Sequence, residues 1–542
     1  MDLRDIFKQI NPNGEKTIPQ DNSEDEYANT ASTYSLNNRS ATNVAEISNS
    51  GLPPLNLSAP MEVAPSNLPQ GNLPPVNDLS FSSLNLGKKD LNTNLLGGNH
   101  HQQMDPGIDV TQVIPTKDQD FFAPPSSMKD VGLSPISIQD LLLKCLFYQS
   151  NASGKELANK IRLPLHSIVD PMLMKLSEEK FVEVTGTTGL GGFNKIYRLT
   201  TMGYNRAEDV LKVSNYVGPA PVSLTDYTKA VTELYGILDF SEEALRDSYK
   251  DLVLSESAFD QVGPALLSGK SMFLYGPAGT GKTSIAERIT RCYKSTIKVP
   301  YAVNVQGIPM RFFDYFLHIP SEPNLAPGSM PPLRQDMDNR WIEIRRPCIV
   351  VGPEFTIASA DLQYDPDGPS YQFPSSIKSN GGVFVVDDFG RQRENPEVLL
   401  NRWIIPLDKQ KDILNLRTGQ QISVPFRVFT VFSTNLDPKQ LVDDAFLRRL
   451  AYKIKVDYPT LETYCQIFAN EADKANMKWE DELLDYFIQT HYIKAQRPMR
   501  ACDPKDILSR ATDICRYTKM KTPFKLSREL IDRACRSYFV GG

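Results

Sequence analysis

One stretch, GPAGTGKTS at residues 276–284, constrains the fold of this chain more than any other feature. It follows a short apolar run, MFLY, and leads into the helical pattern SIAERI. Glycines let consecutive backbone N–H groups converge on one point, and the start of a helix adds its positive dipole end. The spacing G-x-x-x-x-G-K-T between a strand and a helix therefore predicts a P-loop inside an α/β domain.

The side chains of this loop predict a site for ATP and Mg²⁺. Lys282 would neutralise the β- and γ-phosphates, and Thr283 would hold the metal ion. The predicted nucleotide-binding residues are Gly276, Pro277, Ala278, Gly279, Thr280, Gly281, Lys282, Thr283 and Ser284.

Two later strands carry polar side chains to the same edge of the predicted sheet. VFVV runs into Asp387 and Asp388, and RVFTVFST runs into Asn435. Asp387 is predicted to lie beside Mg²⁺, and Asp388 to orient the attacking water. Asn435 is predicted to hydrogen-bond that water or the γ-phosphate, although an asparagine that follows a strand is usually a turn residue.

The stretch LVDDAFLRRLAYKI places Arg448 and Arg449 side by side at the end of a short helical pattern. The functional interpretation is an arginine finger that reaches the ATP of a neighbouring subunit. The alternative is a solvated pair of cations, or an ion pair with Asp443 or Asp444. The order of the four motifs along the chain favours the arginine finger.

That order resembles the AAA+ ATPases over roughly residues 240–542. The chain looks most like the bacterial MoxR-type and related helix-insert branch, in which the second strand ends in Gln and Walker B reads DE-x-x-R. Here VNVQG would supply the strand end, and DDFGR supplies Asp387, Asp388 and Arg391. The resemblance implies a hexameric or similar homo-oligomeric ring that hydrolyses ATP at subunit interfaces and remodels a protein client.

The sequence departs from that family at two points. Asp388 stands where the family usually has Glu. The second sensor, usually Arg, falls on Lys505, which keeps the charge but lacks the planar fork, and Arg500 is the rival candidate. Between Arg311 and Gly381 the chain carries extra material, in which RWIEIRRPCIVVGPEFTIASADLQYDPDG is predicted to be a β-hairpin insert with its turn at Gly352-Pro353.

The first 134 residues have a different composition, rich in Pro, Asn and Ser with single leucines, and predict disorder. MDLRDIFKQI at the start is the best candidate for a short amphipathic docking helix, although a passive linker is an equal alternative. Three helical patterns and two strands over residues 135–217 follow the order of a winged helix-turn-helix module. Residues 218–238 are predicted to be a linker, 239–457 the nucleotide-binding domain, and 458–542 a helical lid.

Charge and cysteine content limit the kinds of partner and the cellular compartment that the sequence predicts. The net charge is -6, and the candidate recognition helix, residues 163–180, carries three carboxylates and only two lysines, Lys175 and Lys180. Protein docking by this module is therefore favoured over DNA binding, because phosphate contacts need cations. Seven scattered cysteines, with no apolar span long enough for a bilayer, predict a protein without a membrane span in the reducing cytoplasm.

Two classes of function remain open from the sequence. The first is an ATP-driven remodeller of a protein client, whose identity the sequence does not give. The alternative is a DNA-binding AAA+ ATPase, a replication or transcription regulator that uses the winged helix on duplex DNA. The predicted fold is the same in both: a P-loop AAA+ parallel sheet of the α/β class with a helical lid, preceded by a small α+β winged-helix domain and a disordered region.

Overall fold

The computed structural model describes residues 121–188, 194–235, 240–322, 329–441 and 447–539. The predictions of disorder before residue 121 and of a docking helix at residues 1–10 lie outside these ranges. Asp443 and Asp444, the alternative partners of the arginine pair, lie outside them as well. Within the described ranges, every helix is too short or too polar to cross a bilayer.

The N-terminal module contains the predicted helices and the predicted pair of strands. Its helices are α1 Met128–Val131, α2 Pro135–Gln149, α3 Gly154–Ile161, α4 Asp170–Glu178 and α5 Thr201–Val213. Its strands are β1 Asn151–Ser153, β2 Val182–Thr188 and β3 Asn194–Leu199, and they form an antiparallel sheet in the order β1-β3-β2. The Ser134 hydroxyl accepts a hydrogen bond from the amide of Ser137, which caps α2 at the serine before its first proline.

The prediction that disorder extends to residue 134 is wrong for residues 121–134. The Phe122 side chain is 4% exposed, and its ring lies 5.1 Å from the ring of Trp341. The Phe122 carbonyl also accepts a hydrogen bond of 2.6 Å from the amide of Asp338. Buried apolar side chains, Phe122 with Val131 and Leu133, therefore hold this stretch on the body, and composition averaged over the whole N-terminal region hides them.

The remaining chain forms the two parts predicted to be a nucleotide-binding domain and a helical lid, and these two names are kept below. The strands are β4 Val222–Ser223, β5 Met272–Tyr275, β6 Thr296–Pro300, β7 Ala302–Val305, β8 Ile308–Arg311, β9 Trp341–Arg345, β10 Cys348–Val351, β11 Gln363–Asp365, β12 Ser370–Gln372, β13 Val383–Val386, β14 Lys411–Asn415, β15 Gln421–Pro425, β16 Phe429–Thr434, β17 Tyr452–Lys455, β18 Met477–Lys478 and β19 Phe524–Lys525. The helices are α6 Leu224–Lys229, α7 Glu242–Ser248, α8 Glu256–Ser268, α9 Lys282–Arg288, α10 Ser375–Lys378, α11 Pro396–Lys409, α12 Pro438–Leu441, α13 Leu461–Lys474, α14 Asp481–Ile488, α15 Asp503–Tyr517 and α16 Arg528–Tyr538.

The centre of the nucleotide-binding domain is a five-stranded parallel sheet in the order β10-β13-β16-β5-β17. Its three middle strands, which carry the P-loop and the two polar strand ends, are buried along almost their whole length. Near-continuous apolar runs are typical of parallel strands that are covered on both faces. The predicted α/β class with a parallel sheet and a helical lid is confirmed.

The assignment of VNVQG to the second strand of this sheet is wrong. Residues 302–305 form β7, which turns back into β8 through Gln306 and Gly307, both at positive φ (53° and 87°). Positive φ at both central residues makes a tight two-residue hairpin turn. The edge position beside β13 belongs to β10 instead, whose sequence CIVV was predicted to lie in an inserted hairpin.

The prediction of a linker at residues 218–238 is also wrong for the described part, 218–235. Helix α6 and the turn that follows bury Tyr227 and Val231, both at most 1% exposed, in the core of the nucleotide-binding domain. Strand β4 joins β7 in a second sheet, in the order β11-β12-β8-β7-β4. The apolar stripe of α6 needs a core to bury it, and the inserted strands supply one.

A buried arginine just before β9 joins the inserted strands to the module. Arg340 and Asp338 are each 4% exposed, with 2.7 Å between Nη2 and Oδ2. The same guanidinium donates from Nη1 to the carbonyl of Val131 at 2.7 Å. A backbone hydrogen bond from Asn215 to Pro369 adds a second link. The module is therefore packed against the nucleotide-binding domain through buried contacts.

Candidate functional site

The P-loop takes its shape from glycines that no other residue can replace. Gly276, Gly279 and Gly281 have φ of 138°, 79° and 92°. A Cβ atom on Gly276 would lie 2.3 Å from the carbonyl oxygen of Val456, and one on Gly279 would lie 2.7 Å from Sγ of Cys502. The loop is thus enclosed by β17 on one side and by the lid on the other, and a phosphate chain fits its concave backbone.

Lys282 points back into this loop. Its side chain is 5% exposed, and Nζ donates to the carbonyls of Gly276 and Pro277 at 3.0 and 2.7 Å. A third bond of 2.7 Å reaches Oδ1 of Asn435. Burial lowers the pKa of Lys282, while the nearby carboxylates of Asp387 and Asp388 raise it. The ammonium therefore has a full set of acceptors in a place where phosphate oxygens can replace them.

Thr283 and Asp387 meet at the start of α9. The Thr283 hydroxyl donates to Oδ2 of Asp387 at 2.8 Å. Hydroxyl and carboxylate oxygens are the hard donors that Mg²⁺ prefers, and this ion usually keeps few protein ligands beside its waters and phosphates. The two residues therefore fit the predicted magnesium site.

Asp388 occupies a strained backbone position next to Asn435. Its φ is 46°, in the left-handed region that Asp and Asn enter more readily than longer side chains. Its Oδ1 accepts a bond of 2.9 Å from Nδ2 of Asn435. The backbone after Asp388 is fixed to β16, because the amide of Phe389 donates to the carbonyl of Ser433 at 2.7 Å. The side chain is thereby held above the end of β16.

The sheet order explains why these groups meet. Strand β16 lies between β5 and β13, so Asn435 leaves the sheet between the P-loop and the two aspartates. The amide of Asn435 bridges Lys282 on one side and Asp388 on the other. Ligands of open α/β sheets bind at the carboxyl ends of the strands. The structure brings five predicted residues together there, namely Lys282, Thr283, Asp387, Asp388 and Asn435.

Arg448 and Arg449 lie apart from this cluster. Both are exposed, and Nε of Arg449 lies 3.4 Å from Oδ2 of Asp408 on α11. An arginine that serves a neighbouring subunit is expected on the surface of its own chain, so this position suits the finger and the surface ion pair equally.

The two candidates for the second sensor lie at different places on the lid. The Cβ and Cδ atoms of Arg500 lie within 3.4 Å of the position that a Cβ on Gly279 would take. The amide of Cys502 donates to the carbonyl of Gly279 at 3.1 Å. Lys505 is exposed on α15, close enough to Glu287 for its charge to lower the pKa of that carboxyl. Arg500 is therefore the candidate that packs on the P-loop itself.

Two residues near the site escaped prediction. Asp503 is 1% exposed and accepts hydrogen bonds from the hydroxyls of Tyr538 and Tyr492, at 2.8 and 3.0 Å, and from the amide of Arg500. It fixes the lid segment that touches Gly279. Glu287 lies one helical turn after Thr283, and burial raises its pKa. The spacing of four residues from Thr283 is the signal that would have found Glu287.

Comparison with known proteins gives limited matches. A domain of unknown function (DUF8689) matches residues 460–537, which covers most of the lid. No curated protein matches the sequence.

Solved structures that resemble the chain include NtrX from Brucella abortus in complex with ATP, at 13% identity and a TM-score of 0.31, with 54% of this chain and 56% of that chain covered. A second structure of NtrX from Brucella abortus has 13% identity and a TM-score of 0.33, and it covers 55% of this chain and 58% of that chain. A point mutant of RuvB from Thermotoga maritima has 13% identity and a TM-score of 0.28, covering 57% of this chain and 72% of that chain. The chain thus spans little more than half the length of the NtrX structures.

Proposed function

We propose that this protein is an ATPase of the AAA+ type that works as a ring on a protein client. The observation that carries the proposal is the hydrogen-bonded chain from Lys282 through Asn435 to Asp388, beside the Thr283–Asp387 pair. Each member ends a strand or starts a helix at the same sheet edge. This is the geometry that phosphoryl transfer needs, with cation, metal ligands and water-orienting group arranged around one point.

Each residue has one task in this proposal. Lys282 exchanges its carbonyl and amide partners for phosphate oxygens and balances their charge. Thr283 and Asp387 hold Mg²⁺, which neutralises charge on the phosphates when it is bound. Asp388 accepts a proton from the attacking water, and Asn435 keeps the Asp388 carboxylate and the Lys282 ammonium in fixed positions.

The ring and the arginine finger are part of the same proposal. Arg448 and Arg449 are exposed, and the ion pair between Arg449 and Asp408 lies at the surface, where a subunit contact replaces it at little cost. A site in one subunit would then be completed by an arginine of the next. One of the two rival lid residues, Arg500 or Lys505, is proposed to contact the γ-phosphate as the second sensor, and the packing of Arg500 on Gly279 favours Arg500.

We also propose that the N-terminal module has the winged-helix fold and binds protein rather than DNA. Its surface charges support this choice. Lys175 on α4 lies 3.9 Å from Glu179, and Arg198 on β3 is paired with Glu183. Cations that are already balanced by carboxylates gain little from phosphates. The DNA-binding alternative stays open as an outcome of measurement.

Steady-state phosphate release from the purified protein tests the enzyme activity, and absence of ATP-dependent release would refute it. A mixture of Arg449→Ala and Lys282→Ala subunits tests the ring. We expect partial recovery of hydrolysis in the mixture, because each variant supplies what the other lacks. No recovery at any ratio would refute a finger that acts between subunits.

A salt-dependent mobility-shift assay with duplex DNA separates the two candidate classes. We expect weak binding that reversal of charge at Lys175 and Lys195 leaves unchanged. Tight binding that is lost on those charge reversals would refute a protein client for this module and favour the DNA-binding alternative.

A further inference from the structure

A cleft of about 310 Å³ lies at the junction of the module and the inserted strands. Helices α2 and α5 form one wall, and the hairpin of β7 and β8 forms the other with Asn304, Gly307 and Pro309. The volume is at the lower end of the roughly 300–1,000 Å³ in which proteins bind ligands. It is separate from the nucleotide site, and none of the proposed catalytic residues lines it.

The floor of this cleft holds a buried lysine with few partners. Lys144 is 3% exposed, and its Nζ donates to the carbonyl of Ser214 at 3.1 Å. Among the described residues no carboxylate forms an ion pair with it, although Asp140 lies near enough for its charge to act. Burial lowers the pKa of Lys144 to about 8. Two of its three N–H donors are left for a ligand.

The other charges around the cleft already have partners. Asp140 accepts two bonds of 3.0 Å from Arg206, and Lys212 lies 3.0 Å from Asp209. The walls between these pairs are mainly apolar, with Ser137, Ser214 and Asn304 as the uncharged polar residues, and the lining residue Val213 is 65% exposed. A ligand that suits this cleft therefore carries one carboxylate for Lys144 on an otherwise apolar surface, since a buried charge needs a counter-charge.

The start of this chain carries such a surface. At 100° per residue in a helix, four apolar side chains fall within an arc of about 100°. They are Leu3, Ile6, Phe7 and Ile10. Asp2 borders that arc next to Ile6, whereas Asp5 falls on the opposite side. A segment this short is a marginal helix alone and gains its stability from a surface that buries its apolar face.

We propose that residues 1–10 of this chain dock in the junction cleft as a helix, with the Asp2 carboxylate on Lys144. About 110 residues separate Ile10 from Phe121, where the described body begins. A random coil of that length would have ends roughly 60 Å apart, so the length of the chain allows the segment to return to the body. The docked segment would lie across the contact between the module and the β7–β8 hairpin and would strengthen it.

The accessibility of the Lys144 amine in the full-length protein tests the proposal. An amine-acetylating reagent labels lysines at a rate that mass spectrometry reads for each site. We expect Ile6→Ser combined with Phe7→Ser to speed labelling of Lys144 about tenfold, the protection that a millimolar effective concentration gives at an intrinsic dissociation constant near 0.1 mM. Lys212, exposed at the rim, serves as the internal reference and should keep its rate.

Matched single changes test the ion pair. Asp2→Asn should speed labelling of Lys144, and Asp5→Asn, which removes the same charge from the opposite side of the helix, should not. A synthetic peptide of residues 1–12 should restore protection to the Ile6→Ser, Phe7→Ser variant. Equal labelling of Lys144 in the wild type and that variant would overturn the proposal. If octanoate protected Lys144 as well as the peptide does, residues 1–10 would be refuted as the specific ligand, because the cleft would then bind any apolar carboxylate.

Discussion

Two lysines in this protein are buried to nearly the same extent, but their surroundings differ. Lys282 in the P-loop is 5% exposed and Lys144 in the junction cleft is 3% exposed. Lys282 donates to three acceptors and has two aspartates close by, whereas Lys144 donates to one carbonyl. Burial lowers the pKa of both ammonium groups, and nearby carboxylates counter it in part, two aspartates at Lys282 but Asp140 alone at Lys144. A buried lysine can therefore indicate a binding site in two ways. Its acceptors can already be in place, as at Lys282, or most of them can be missing and left for a ligand to supply, as at Lys144.

The largest effect is expected from Lys282→Ala, which removes the lysine that has more hydrogen-bond acceptors than Lys144. ATP affinity should fall about 100-fold, the equivalent of about 3 kcal/mol for a lost charge-assisted contact. Calorimetric titration with ATP measures this. Lys270→Ala, at an exposed position just before β5, is the matched control and should bind ATP normally. Ordinary affinity in Lys282→Ala would remove the P-loop assignment.

Removal of the Lys144 charge should be favourable rather than harmful, because a buried ammonium destabilises the folded protein when the cleft is empty. The comparison is made in the Ile6→Ser, Phe7→Ser background, with Lys144→Met against Lys144. The folded pKa of about 8 lies below the reference of 10.5, so the unfolded chain binds more protons between those pH values and stability rises with pH through that window.

Below pH 8 the full cost of the buried charge is present. Lys144→Met should then raise the free energy of unfolding by roughly 3 kcal/mol at pH 7 and abolish that rise with pH. Urea unfolding at pH 7, 8 and 9 measures both effects. A destabilised Lys144→Met protein at pH 7 would show that the lysine is adequately paired in the folded state.

A smaller effect is expected from Asp388→Glu. The left-handed backbone at this position disfavours the longer side chain by about 1 kcal/mol, and the bond to Asn435 is set for the shorter one. Hydrolysis should slow about tenfold while ATP affinity stays the same, since a carboxylate displaced by one methylene loses its alignment. Phosphate release and ATP titration on the same preparation separate the two quantities. A faster enzyme would mean that the native Asp limits the rate.

The smallest effect is expected from Asp503→Asn in the lid. The amide keeps one acceptor oxygen but loses the charge to which two tyrosine hydroxyls donate, at a cost of about 1 kcal/mol in lid stability. The contact between Cys502 and Gly279 should loosen, and ATP affinity should fall a few-fold. Thermal unfolding and ATP titration measure the two changes. Asp513→Asn, on the same helix but outside this network, is the control, and an equal effect there would argue against a role for the buried network.

The meeting of five polar residues at one edge of the central sheet was predictable from the sequence, because each part of the pattern is local. A glycine-rich turn, an apolar run ending in Asp387 and another ending in Asn435 each signal a strand end without knowledge of the rest. Their meeting follows from the parallel sheet. The bridge from Lys282 through Asn435 to Asp388 was not predictable, since it depends on β16 lying between the other two strands.

The errors arose where the chain departs from its regular alternation of strand and helix. The edge strand β10 follows α9 only after β6 to β9 have been inserted, and VNVQG is nearer in sequence and ends in the expected residue. In the structure, β7 pairs instead with β4, which lies about 80 residues earlier in the chain, and so belongs to the second sheet. Lys144 did carry a local signal, a lysine inside LLLKCLF, but a helical pattern cannot tell which neighbour buries it.

The ion pair of Arg340 and Asp338 has a mechanical consequence. Since that guanidinium also holds the carbonyl of Val131, the module has no hinge of its own at this contact. A force applied to the module would therefore pass through this contact to the residues just before β9 without changing the angle between the two parts. In the proposed ring, any movement driven by ATP would then have to arise at the lid or between subunits rather than within this contact.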